Sequence, residues 1–380
     1  MKRQLRVMVV FGTRPEAVKL APVIKALKLH SDEIQTTVCI TAQHRQMLDQ
    51  VLDAFQITPD IDLDLMRPDQ SLSELTARIF TDLDPVLQEY QPDWLLIQGD
   101  TTTVMATALL GYYHHINVGH VEAGLRTHDK WQPFPEEVNR RLAGVLADLH
   151  FAPTENNRQN LLREGVPDEN IAVTGNPAID ALRIIAEQPA PPEAESLLRQ
   201  AGIKTGGRRL VLITAHRREN FGAPIRDICG AIQNLAQHYR DSVTFIYPVH
   251  LNPNIQQPVY ELLSGIENIL LLPPLDYLPL IHLMKHADLI LTDSGGIQEE
   301  APSFGIPTLV LRERTERQEG VNAGTLKLVG TDPDRIFTEA QRLLDDPQAH
   351  AAMAGAVNPY GDGHASERIV AALLAFWKAD

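Results

Sequence analysis

Residues 5–16 read Leu-Arg-Val-Met-Val-Val-Phe-Gly-Thr-Arg-Pro-Glu. The apolar run at 7–11 is too short for the core of a signal peptide and has the length of a buried strand. It breaks at Gly12. Pro15 suits the first turn of a helix, and Glu16 complements the positive end of its dipole. A strand, a tight loop and a helix start are the opening of a βαβ unit.

Outward from this junction the pattern repeats. Apolar runs of strand length occur at 36–40, 94–97, 117–121 and 171–174, each followed by a helical-looking stretch such as 17–29 or 103–113. After the proline-rich segment 188–192 (QPAPP) and the loop-like KTGGRR it restarts, with runs at 210–214, 243–247, 269–272, 289–291 and 308–311. Strands alternating with helices mean parallel sheets. The expected fold is α/β, with two doubly wound Rossmann-like lobes and a ligand cleft between them. The boundary is expected near 176–185.

The 380 residues are more than one core needs and suffice for two α/β domains. Hydrophobic content of 44% and charged content of 22% are those of a globular protein. No apolar run reaches the ~20 residues of a membrane helix. No export signal is read, so the expected location is the cytoplasm. Cys39 and Cys229 form no C-x-x-C pair, which points away from a disulfide scaffold or a zinc site. The net charge of −15 argues against nucleic acid as a partner, but leaves room for a local basic pocket.

Candidate chemistry sits at strand ends. Arg14 follows the first strand and is either a loop-tip arginine or a contact to a ligand phosphate. In the second lobe, the run at 289–291 leads through Thr292 and Asp293 into Ser294-Gly295-Gly296 and a helix beginning Ile297-Gln298-Glu299-Glu300. This is either a tight turn or an anion site made by glycines and the free N–H groups of a helix start. Glu300, one turn in, is placed to reach a ribose hydroxyl. The G-x-G-x-x-G dinucleotide fingerprint is not present there.

Asp100 ends one strand and Glu122 the next, with Glu136 and Glu137 shortly after. Taken singly, Asp100 and Glu136 read as helix caps or first-turn residues. Clustered, they would move one another's pKa values apart and serve as acids and bases. His216, at a strand end beside Arg217 and Arg218, is either a loop histidine or part of a cation-rich place that suits a leaving diphosphate. His282 and His286 have i, i+4 spacing but no H-E-x-x-H context, so no metal is expected.

The blocks GTRPEAVKLAPVI, TAQHRQMLDQVL, GDTTT, HVEAGLRT, PEEVNRRL, TGNPAID, TAHRRENFG, PVHLNP and DSGGIQEEAPSFGIPTLVLRERTER follow one another from residue 12 to 317. In this order they resemble the non-hydrolysing UDP-N-acetylglucosamine 2-epimerases of bacteria. The resemblance implies a glycosyltransferase-B-like fold, with an N-terminal lobe at 1–176 and a UDP-binding lobe at 177–366. A C-terminal helix at 367–380 would return to the first lobe. It implies inversion at carbon 2 of UDP-N-acetylglucosamine to UDP-N-acetylmannosamine, a precursor of surface polysaccharide. It further implies a homodimer and no cofactor.

By motif, Asp100, Glu122, Glu136 and His216 match the catalytic residues. Arg14, Lys19, Ser294, Gly295, Gly296, Glu300 and Arg317 match the substrate contacts. Gln43, Gln46, Gln70 and His250 resemble the site where a second substrate molecule activates some members. Asp69 stands where some of those carry arginine, which weakens the case for that regulation. Gln318 replaces a proline common in the family, and the loop carrying Arg317 is expected to be looser for it.

Overall fold

The computed structural model describes all residues except 1–2, 42–44, 68–69, 204–206 and 380, and no side chain at 45–47 or 379. The chain divides into two compact units, Met1–Ile184 with Gly361–Asp380, and Ile185–Tyr360. The helix Pro177–Ala186 is held by the C-terminal segment, because Asp180 accepts the amide protons of Ala365 and Ser366.

The first unit carries a seven-stranded sheet. Its strands are β1 (Leu5–Phe11), β2 (Ile34–Ile40), β3 (Ile61–Asp62), β4 (Trp94–Gln98), β5 (Asn117–Val121), β6 (Leu149–Ala152) and β7 (Ile171–Val173). Their order is β3-β2-β1-β4-β5-β6-β7, and every pairing is parallel. The central strands are buried along their length, as expected of a sheet covered on both faces. The C-terminal helix Ala365–Ala379 packs on the helix Arg14–Leu29, and Phe376 meets the buried Trp94 edge-on at 5.3 Å.

The second unit has six parallel strands. They are β8 (Arg209–Thr214), β9 (Val243–Pro248), β10 (Ile269–Leu272), β11 (Leu289–Thr292), β12 (Thr308–Val310) and β13 (Leu326–Leu328), in the order β10-β9-β8-β11-β12-β13. Three strands escaped the sequence reading. β3 has two residues, β13 has three, and β6 carries His150 in its apolar run, so none gives a clear pattern.

Both sheets reverse their winding at one place. In the first, β1 and β4 are neighbours whose following connections run in opposite directions. In the second, β8 and β11 play that part. The crevice outside the carboxyl ends of such strands is where open α/β sheets bind ligands.

Candidate active site

In the first unit the switch brings β1, β4 and β5 side by side, with Gln98 in register with Val121. The strands that Asp100 and Glu122 follow are therefore neighbours, and both residues stand at the carboxyl edge of this sheet. Asp100 lies two residues beyond β4, and Glu122 directly follows β5. Glu122 has a φ of 66°, a left-handed conformation costly for a residue with a side chain. Such strain persists where surrounding bonds over-determine it. Here Lys19 Nζ pairs with Glu122 Oε1 at 2.5 Å, and Gln98 Nε2 donates to Glu122 Oε2. Lys19, expected to contact substrate, is ion-paired with Glu122.

Asp100 is bound by Arg140, whose Nε and Nη2 reach Oδ2 at 2.9 and 2.7 Å. Arg140 in turn donates from Nη1 to Glu137 at 3.2 Å. Glu137 is fully buried and also accepts the amide protons of Thr127 and His128. Burial pushes its pKa up, but the two amides and Arg140 outweigh that and hold it below the usual carboxylate range. Glu137 braces the loop that delivers Glu136 to the start of the helix Glu136–Leu146. Glu136 Oε2 is buried and has no hydrogen-bond partner among the described residues. A buried carboxylate oxygen with no donor among the described residues keeps its capacity to accept a hydrogen bond.

Glu16 proves to be a latch. It is 2% exposed, accepts the Gly12 and Thr13 amides at 2.9 and 2.7 Å, and takes the Thr101 hydroxyl at 2.6 Å. It joins the loop after β1 to the loop after β4. Burial raises its pKa against these donors. Arg14 beside it is half-buried, and its side chain makes no ion pair or hydrogen bond among the described residues. Behind the site, His120 Nε2 meets the Gly99 carbonyl at 2.7 Å.

In the second unit His216 follows β8 and Ser294 follows β11, again on neighbouring strands. The helix starts at Gly295, earlier than expected, and runs only to Glu300 before tightening into a 3-10 turn. Its first N–H groups have no acceptor within the helix. The Arg317 guanidinium lies against Gly295, where a Cβ would stand 2.9 Å from Cζ. It is held there by Glu299 Oε1, at 2.8 and 3.0 Å, and by Glu316. Burial raises the Glu316 pKa, but Arg317 and Arg312 bring it down to about 2. Glu300 is 8% exposed and accepts from the Tyr277 hydroxyl at 3.3 Å.

In the loop carrying Arg317, Gln318 makes a tether of its own. That side chain donates to the Thr315 carbonyl at 2.7 Å, and the Tyr360 hydroxyl donates to the Arg317 carbonyl at 3.2 Å.

His216 stacks on His250, ring centroids 5.5 Å apart and planes 13° from parallel. Burial lowers its pKa, and the nearby His250 and Arg217 reinforce this against the pull of Asp293. Of the residues resembling an activator site, Gln43 and Asp69 lie outside the described residues, as does 204–206 of the expected loop. Gln46 falls in the helix Arg45–Phe55, its side chain undescribed. Gln70 lies in the first unit and His250 in the second. His286 Nδ1 bonds the His282 carbonyl, an ordinary helix contact. Sequence reasoning gave no role to Gln98, Arg140 or Asp293. The i, i+3 spacing of Glu137 and Arg140 was the available signal for one pair.

Two all-parallel units, one with carboxylates at its switch point and the other with a glycine-start helix under an arginine, define an α/β enzyme of the glycosyltransferase-B-like class. The family model described as UDP-N-acetylglucosamine 2-epimerase matches residues 25–374. The chain belongs to that family. It is 53% identical over 371 residues to the UDP-N-acetylglucosamine 2-epimerase of Yersinia pestis, covering 97% of this chain and 98% of that one. It also superposes on the crystal structure of the Neisseria meningitidis UDP-GlcNAc 2-epimerase bound to UDP-GlcNAc. The TM-score is 0.88 and identity 49%, over 98% of this chain and 100% of that one. The Methanocaldococcus jannaschii enzyme, in complex with UDP-GlcNAc and UDP, gives a TM-score of 0.78 at 32% identity, over 98% of this chain and 100% of that one.

Proposed function

We propose that this chain is an isomerase that inverts carbon 2 of UDP-N-acetylglucosamine to give UDP-N-acetylmannosamine, keeping the sugar on its nucleotide at equilibrium. The observation that carries the reading is the set of carboxylates at one sheet edge. Asp100 is held by Arg140, Glu122 by Lys19 and Gln98, and Glu136 has a buried oxygen without a hydrogen-bond partner among the described residues.

The carbon-2 hydrogen of the substrate is not acidic, because no carbonyl stands at carbon 3. Elimination is the route open to this residue set. One carboxylate takes the carbon-2 proton while the bond from carbon 1 to the diphosphate breaks, leaving a glycal and UDP. UDP then adds back as a proton reaches the opposite face of carbon 2. A base on one face and an acid on the other fall to Asp100, Glu122 and Glu136. The charge gathered by the departing diphosphate is met by His216, Arg317 and the N–H groups at Ser294, Gly295 and Gly296, with Arg14 as a further cation. Glu300 is assigned to the ribose. We also propose a homodimer. Tyr112 and Tyr113 end one helix, and Val138, Leu142 and Val145 stripe the helix packed on it. All are exposed, as a self-associating surface would be in a single chain.

The test is turnover in heavy water. Each inversion should place deuterium on carbon 2 of UDP-N-acetylmannosamine, with free N-acetylmannosamine formed far more slowly than the nucleotide-linked product. Inversion at full rate with the original hydrogen retained would refute the elimination. Release of the free sugar as fast as inversion would assign the chain to hydrolysis.

A further inference from the structure

We propose that Asp293 is the positioning residue of His216: it holds the Nδ1 edge of the imidazole and leaves Nε2 as the nitrogen offered to an anionic ligand. The inference rests on the reading of His216 as part of the site.

Asp293 directly follows β11, and its amide donates to the Thr214 carbonyl at the end of β8, so the sheet register sets its backbone beside the His216 loop. The side chain is fully buried. Oδ2 accepts the amide protons of His216 and Arg217, both at 2.8 Å, and Nδ2 of Asn220 at 2.9 Å. That oxygen is saturated and explains the loop's shape. Oδ1 is different. It is buried, has no hydrogen-bond partner among the described residues, and faces His216 Nδ1 at 3.5 Å. A buried carboxylate oxygen without a donor is a rare and costly feature. A small rotation of the imidazole closes that distance, and hydrogen bonds at enzyme sites commonly tighten only with ligand bound. His250, stacked on the ring, limits the orientations left to it.

The consequence is a defined tautomer. A carboxylate at one ring nitrogen keeps the proton there, and the other nitrogen does the work. The neutral ring so held has its lone pair on Nε2 and takes a solvent proton there; charged, it points Nδ1–H to Asp293 and Nε2–H to the phosphate oxygen that receives the electron pair of the breaking bond to carbon 1. The hydrogen bond relaxes when that oxygen adds back.

Asp293→Asn tests this. The amide oxygen can keep the three donors at Oδ2, while the NH2 group now donates to Nδ1, which moves the neutral ring's proton to Nε2 and leaves the charged ring without a carboxylate to hold Nδ1–H. We expect kcat for epimerisation to fall roughly 10²–10⁴-fold, the scale of general acid–base catalysis, with KM little changed. The double variant with His216→Asn should be no slower than His216→Asn alone. Losses that multiply in the double variant would overturn the proposal. Nitrogen-15 NMR of histidine-labelled wild-type protein, with His216 assigned from its variant, gives a reading that needs no folded Asp293 variant. The neutral ring should carry its proton on Nδ1, and a proton on Nε2 would refute the assignment. This spectrum is readable even if the wild type fails to turn over UDP-N-acetylglucosamine, which would instead sink the proposed function.

Discussion

The Arg140 guanidinium meets Asp100 Oδ2 through both Nε and Nη2, at 2.9 and 2.7 Å. It is itself anchored by Glu137, a fully buried carboxylate on the same helix. The aim of Asp100 is therefore set by a residue forty positions later in the chain, and the fork geometry of arginine matters to it. Arg140→Lys should lower kcat roughly tenfold to a hundredfold, because small misplacements of a catalytic group cost that much. KM should change little. Steady-state kinetics of the variant decide it, and wild-type kcat would mean Asp100 needs no such support.

Gly295 is where Arg317 lies. A Cβ there would stand 2.9 Å from the guanidinium carbon, and Glu299 and Glu316 oppose its retreat. Gly295→Ala should therefore act as a binding mutation at a distance from any lost charge. We expect UDP affinity to drop roughly tenfold to a hundredfold, the worth of one charge-assisted contact. Arg317→Ala should produce a similar loss, and the double variant little more. Calorimetry with UDP gives the answer, and unaltered affinity in Gly295→Ala would remove Arg317 from the diphosphate site.

The core behind the carboxylates carries a pH liability. His120 and His150 are register partners on β5 and β6, each 1% exposed. Burial depresses their pKa values to about 4 and about 3. Below the unfolded value of about 6.5 the unfolded chain binds protons that the native unit refuses, so stability falls as pH falls toward those folded values. Between pH 7 and pH 5, each histidine should remove on the order of 2 kcal/mol from the first unit, at about 1.4 kcal/mol per pH unit below 6.5. Trp94, Trp131 and Trp377 all belong to that unit, so urea unfolding followed by tryptophan fluorescence reads it selectively. His150→Gln should flatten the dependence; an unchanged slope would place the liability elsewhere.

The sequence by itself determined the alternation of strand and helix, because burial of a parallel strand leaves an apolar run that needs no partner to be seen. It also placed Asp100, Glu122, His216 and Ser294 at strand ends, since each directly follows or lies within two residues of such a run or its closing threonine and alanine. The tertiary structure decided what those residues touch. Strand order makes β4 the neighbour of both β1 and β5, and so lets Thr101 reach Glu16 and Lys19 reach Glu122 across 103 positions of chain. It also made Asp293 the organiser of the His216 loop. Strand order and register come from side chains interlocking between distant elements, and local periodicity carries no record of them. The same reason hid β6, whose four residues acquire strand geometry from pairing with β5 and β7. The allegiance of the C-terminal helix was likewise decided by its packing on the helix Arg14–Leu29 and the Trp94–Phe376 contact.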